Sequence, residues 1–263
     1  MFKREMKINF KNFIIWTLVL ILIFLVVFLI YPSIVTSENV DMIDEMLKVF
    51  PPSVLKAFNM DISGIESAFG WFKTEGFVFV LLIIGIYSAI LGSNVLLKEE
   101  NDKTIEYLSV MPVTRGKIVF NKILCAFIYI VLMVLVVLIF NYIGLCLSGN
   151  FDKKMYFLLS ITPIFSSFVI FSLCLFLSTF THKTKKMIGI SLGVVLISYV
   201  LNILSELSES VEFLKYVSIF TLADIRNVIV NVSINPWMVV LSFGITFIFI
   251  VLSMINYNRK ELV

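Results

Sequence analysis

Residues Phe13–Tyr31 read FIIWTLVLILIFLVVFLIY, a run without a single Asp, Glu, Lys or Arg. A helix rises 1.5 Å per residue, so about 20 apolar residues cross the ~30 Å hydrocarbon core of a bilayer. Basic residues precede the run, as they do in a secretory leader. Its apolar core is longer than a leader's, however, no small-x-small cleavage pattern follows, and further runs come after it. These are Phe77–Leu97, Ile123–Leu147, Met155–Phe180, Met187–Ser205 and Trp237–Tyr257, all equally free of Asp, Glu, Lys and Arg. Membrane β-strands would instead alternate polar and apolar residues over ~10 positions. The pattern predicts an all-α membrane protein with six transmembrane helices, in one domain covering 1–263.

Composition agrees. Of the 263 residues, 60% are apolar and 15% charged, with a mean hydropathy of +1.03; soluble domains hold ~45–50% and ~25%. A disordered chain is excluded and a water-soluble domain disfavoured. The net charge of +3 is too small to point to nucleic acid. Cys125, Cys146 and Cys174 all lie in apolar runs, which argues against a disulfide framework and for buried packing residues. His182 is the lone histidine, so no metal site is expected.

Lysine and arginine fix the expected orientation. With the N-terminus inside, 14 basic residues fall on the cytoplasmic side and 7 outside, whereas the acids divide 6 to 12. Both termini are therefore placed in the cytoplasm. Phe2, Met6, Phe10 and Phe13, interleaved with Lys3, Lys7 and Lys11, have the spacing of an interfacial amphipathic helix; an ordinary basic flank is the alternative. In the acidic outer loop from Pro32 to Gly76, Val40, Ile43, Met46, Leu47 and Phe50 share a helical face that Pro51-Pro52 ends. Residues 206–236 hold a second apolar section, Val211–Val232, interrupted by Lys215, Asp224 and Arg226. It reads as short re-entrant helices dipping into the outer leaflet before the last span.

Within the spans, Gly85, Ala89 and Gly92, and separately Gly189 and Gly193, have the small-residue spacing that lets helices approach closely. Contacts inside one subunit and contacts in a dimer both fit. Pro163 is expected to bend the start of span four. Catalytic constellations are missing: there is no GxSxG or HExxH, no intramembrane histidine, and no GxxxxGK[ST] for a nucleotide. The spans also lack the ionisable residues that ion-driven pumps use. If the protein transports, its energy comes from another subunit.

The most informative connection is Lys98–Lys122, KEENDKTIEYLSVMPVTRGKIVFNK. A helix through Met111 would carry Glu99, Glu100, Asp102, Lys103 and Glu106 on one side and Ile105, Leu108 and Met111 on the other. Pro112 stops it, and Thr114 can cap the next helix. From the residues alone, a helix that receives a push from a partner and a solvated charged loop are equally open.

Glu100, Thr104, Glu106, Leu108, Pro112, Arg115 and Lys122 resemble the acidic, Thr, Leu, Pro, Arg and Lys pattern after the second span of ABC-2 type permease subunits. These belong to ATP-binding cassette transporters. Where that family has a glycine before the threonine, this chain has Lys103. The amphipathic start, the six spans, FPPSVLKAFNM at Phe50–Met60 and LKYVSIFTLAD at Leu214–Asp224 extend the resemblance over most of the chain. It implies a non-catalytic permease whose inner coupling helix, at Glu100, Thr104, Glu106, Leu108, Pro112 and Arg115, docks on an ABC ATPase subunit. It further implies a second permease copy, no cofactor in this chain, and ATP with Mg bound by the partner ATPase. The short format is most similar to bacterial cell-membrane exporters of antibiotics and toxic peptides. Uncharged spans suit an amphipathic cargo, with lipid or lipid-linked cargo as the second reading. A stand-alone intramembrane enzyme and a binding scaffold are the rival classes.

Overall fold

The computed structural model describes residues 2–34, 45, 49–51, 67–102, 114–207 and 209–260, and these are helical nearly throughout. The face expected over residues 40–50 lies almost wholly outside them. Helix α1 runs Phe2–Ile34, so the basic amphipathic start and the first span form one continuous helix. A short α2 (Ala68–Trp71), capped by the Ser67 hydroxyl, leads through a π-turn at Phe72–Gly76 into α3, Phe77–Val95. After α4 (Lys98–Asn101) the long α5 spans Arg115–Ser148. Then come α6 (Lys153–Ile161), α7 (Pro163–Ser178), α8 (Thr184–Leu207), 3₁₀ turns at Glu209–Tyr216 and Ile219–Ala223, α9 (Ile225–Asn231) and α10 (Pro236–Arg259). Among the described residues, six helical stretches are long and apolar enough to cross a membrane.

Expected span four is two helices. Pro163 has no N–H to continue α6 and its ring excludes the preceding turn, so the chain breaks at Thr162. The Leu159 carbonyl is satisfied locally, accepting from the Thr162 N–H at 3.2 Å and its hydroxyl at 2.9 Å.

The bundle is ordered by burial. Helix α7 lies against α3, α5 and α10, while α3 also packs on α8. In the spans that hold these two central helices, Phe77–Val95 and Lys153–Ser178, 61% and 67% of an apolar 18-residue stretch is buried, whereas in α1 and α10 only 17% is. The outer helices turn apolar side chains away from the protein, among them Leu22, Leu29, Phe247 and Ile248. That is the surface a lipid environment covers, since hydrocarbon tails cost such groups nothing.

The segment between α8 and α10 folds back among the helices. Ser218 donates to the Ser198 carbonyl, and the Ile219 N–H to the Ser198 hydroxyl at 2.7 Å. Phe220, Ala223 and Val228 are buried, with the Phe220 ring against Gly85 in mid-α3. Two residues here take left-handed backbone, Asp224 at φ 46° and Val232 at φ 48°. Val232 ends α9, its N–H bonded to the Val228 carbonyl at 3.0 Å, at the place glycine usually holds. A β-branched residue is strained there by about 1–2 kcal/mol, partly offset by glycine's larger unfolded-state entropy. Val232→Gly is expected to stabilise the detergent-solubilised chain by about 0.5–1 kcal/mol in thermal unfolding. A loss of stability would mean that the valine side chain contributes more through packing than its backbone costs.

Candidate functional site at the end carrying the termini

Helix α3 ends at Val95, and α4 follows after one turn, which places Glu99 and Glu100 beneath the bundle rather than on its surface. Both are buried. A buried carboxylate requires a partner, because desolvation disfavours its charged form. Lys122, from the second turn of α5 and 2% exposed, donates to both Glu99 oxygens. It also donates to the Val95 carbonyl at 2.6 Å and so caps the end of α3. Glu5 of α1 stands 4.0 Å from the same ammonium. One cation thus joins α1, α3, α4 and α5.

Glu100 forms the second cluster. Its Oε1 accepts from Lys260 Nζ at 2.9 Å and its Oε2 lies 2.8 Å from His182 Nδ1. Lys260 follows the last turn of α10 and also donates to the Thr181 carbonyl at 2.7 Å. Arg115, the first residue of α5, donates to the Lys260 carbonyl at 3.1 Å. Asn256 adds a bond to the Thr179 hydroxyl at 2.6 Å. The connection after α7 and the C-terminal end of α10 are thereby fastened to the carboxylate that begins the α4–α5 connection.

Of the residues expected to form the coupling contact, Thr104, Glu106, Leu108 and Pro112 lie outside the described residues, as does Lys103. Glu100 and Arg115 are described and flank the segment 103–113. Glu100 is turned inward with its carboxylate engaged within the chain, so it holds the base of that segment and presents no free charge to a partner. Arg115 is exposed. Thr114 occupies the N-cap position of α5, with extended backbone (φ −66°, ψ 146°), but its side chain makes no capping bond.

The packing candidates divide sharply. A Cβ on Gly92 would lie 2.5 Å from the Phe171 carbonyl oxygen and 2.9 Å from Cys174 Cβ; one on Gly85 would lie 3.2 Å from the Phe220 ring. Ala89, between them, is fully buried. These three bring α3 against α7 and the folded-back segment. Among the described residues, a Cβ on Gly189 or Gly193 would meet nothing within 4 Å, so they leave that strip of α8 open. Cys125 and Cys174 are buried, but Cys146 is exposed and does not pack as expected.

Glu5, Glu99, His182 and Lys260 were not singled out by spacing, and Lys122 entered only through the family pattern, with no partner assigned to it. Their partners are 23 to 160 residues away in sequence, beyond any local periodicity. One signal was present: Glu5 is the sole acid in an otherwise basic N-terminal segment.

The sequence model of the family described as ABC-2 family transporter protein matches residues 2–262. The chain belongs to the ABC-2 transporter family, and is thus a multi-pass membrane permease of an ATP-binding cassette transporter, a class that works with separate ABC ATPase subunits. No curated protein matches it.

Proposed function

We propose that this permease exports amphipathic peptides of the toxic or antimicrobial kind from a bacterial cell, working as a pair of permeases with two ATPase subunits that bind ATP and Mg. The end carrying both termini faces the cytoplasm, in keeping with the 14 to 7 division of basic residues. Segment 103–113 receives the ATPase, and the short helices before α10 dip into the outer leaflet. The chain itself performs no catalysis.

One observation carries the reading: among the described residues the buried charges, Glu5, Glu99, Glu100 and Lys122, gather at one end, near the two anchors of segment 103–113, while the middle of the spans holds none. A charge-free interior offers nothing to replace the hydration shell of a small ion. It suits a cargo with an apolar face, moved by energy delivered at the charged end. Glu100 and Arg115, joined through Lys260, make that end a firm base from which a push on the segment passes to α3, α5 and α10.

In proteoliposomes containing the permease and its ATPase, cytolytic amphipathic peptides are expected to raise ATP hydrolysis severalfold. Leu108→Glu, which places a charge where an apolar anchor is expected, should abolish that stimulation. Stimulation by a lipid-linked glycan but by no amphipathic peptide would overturn the cargo assignment. Full stimulation in Leu108→Glu would overturn the docking assignment.

A further inference from the structure

A cavity of about 210 Å³ opens at the end of the bundle that carries the termini, between α1, the last turns of α3, α4 and the first residue of α8. It is distinct from the two ion-pair clusters, touching the first through Glu5 and Val95. The aromatic rings of Trp16 and Tyr87, 6.3 Å apart, form one wall. Tyr87 is 1% exposed, and among the described residues neither its hydroxyl nor the buried Thr184 hydroxyl, from another residue of the lining, has a hydrogen-bond partner. Both hydroxyls therefore keep unused hydrogen-bonding capacity beside the cavity. Asn94, Asn101 and Lys98 complete the polar lining.

The charges define what the occupant is. Glu5 is the acid at the cavity, and the Lys122 ammonium stands 4.0 Å from it. Lys98 is the cation, and among the described residues no carboxylate pairs with it. The remaining groups are amides and hydroxyls, which donate readily to a polydentate acceptor. The depth narrows the choice further. Trp16 stands at the start of the first apolar run and Lys98 directly follows the last apolar residue of the second. The cavity therefore lies where hydrocarbon gives way to headgroups, the depth of interfacial tryptophan and snorkelling lysine. The anion held at that depth in a bilayer is the lipid phosphate, and polar pockets with basic residues between helices receive such headgroups.

We propose that this cavity binds the phosphate of one phospholipid from the adjoining leaflet, with Lys98 as counter-ion and Tyr87, Asn94, Asn101 and Thr184 as hydrogen-bonding partners. The acyl chains then run along the outward apolar face of α1, where Ile14, Ile15 and Leu18 are exposed. The site is independent of the transported cargo and requires no ATP.

The test uses the full chain, delipidated in mild detergent and titrated while bound lipid is counted by native mass spectrometry. Phosphatidylglycerol is expected to load at one molecule per chain. Diacylglycerol with the same acyl chains should bind at least about tenfold more weakly, since charge-assisted hydrogen bonds are roughly twice as strong as neutral ones. Lys98→Met should lose a similar factor, Thr184→Val a smaller one, and Lys117→Met, an exposed lysine away from the cavity, none. Equal binding of diacylglycerol by the wild-type chain would overturn the proposal without recourse to any variant. So would a Lys98→Met chain that binds like Lys117→Met. Glycerol 3-phosphate competing at the lipid's own concentration would assign the site to a soluble phosphate and overturn the lipid assignment.

Discussion

Lys122→Met is expected to destabilise the chain by about 3–5 kcal/mol, the usual consequence of removing one partner from a buried ion pair. The loss goes beyond a single contact, because Glu99 would be left buried without its partner and the Val95 carbonyl would lose its cap. Glu5 would lose its nearest cation as well. Thermal unfolding of the purified chain in detergent measures the effect. Adding Glu99→Gln to Lys122→Met should recover a large part of the loss, since a neutral amide is far easier to bury than a carboxylate. A single Lys122→Met chain within about 1 kcal/mol of wild type would show that water reaches the cluster and that the pair is not the fastening described here.

Gly92→Ala should be nearly as severe, at about 3 kcal/mol, the upper end of the usual range for overpacking. The added methyl meets main chain, the Phe171 carbonyl oxygen, so no rotamer change relieves the clash and α3 must move away from α7. Gly193→Ala provides the contrast. Its methyl enters open space, so the stability of the isolated chain should change by less than about 0.5 kcal/mol. Comparing the two by unfolding, and by the size of the purified species, separates closeness within one chain from closeness between copies. Equal losses at both positions would mean that α8 is covered within the chain after all.

The spans were legible because a helix in hydrocarbon must be apolar over a fixed length, a constraint that acts residue by residue. Phe13–Tyr31 and Trp237–Tyr257 lie inside α1 and α10 for that reason. Pro163 was legible as a disturbance, although its full effect, two helices instead of a bent one, depended on Thr162 satisfying the Leu159 carbonyl. At the site, Glu100 and Arg115 could be picked out from their segment. Their true partner could not: Lys260 lies 160 residues beyond Glu100, and charges in a boundary segment look alike whether they face water or one another. The small-residue sets of α3 and α8 make the same point, since spacing specifies which residues share a face but not what that face meets.

The two charged clusters differ in when they can close during synthesis. Glu99 and Lys122 belong to neighbouring helices of one hairpin, so they meet as soon as α5 joins α3 in the bilayer, with Glu5 already in place. Glu100 finds His182 only after α7 has been made, and Lys260 only after α10 has been made. Until then a carboxylate at the membrane boundary is held back from full burial, and the base of segment 103–113 stays unfastened. The residues that follow α10 therefore complete the surface on which the partner subunit is proposed to act, so a chain truncated before Lys260 would insert its spans yet lack a finished docking base.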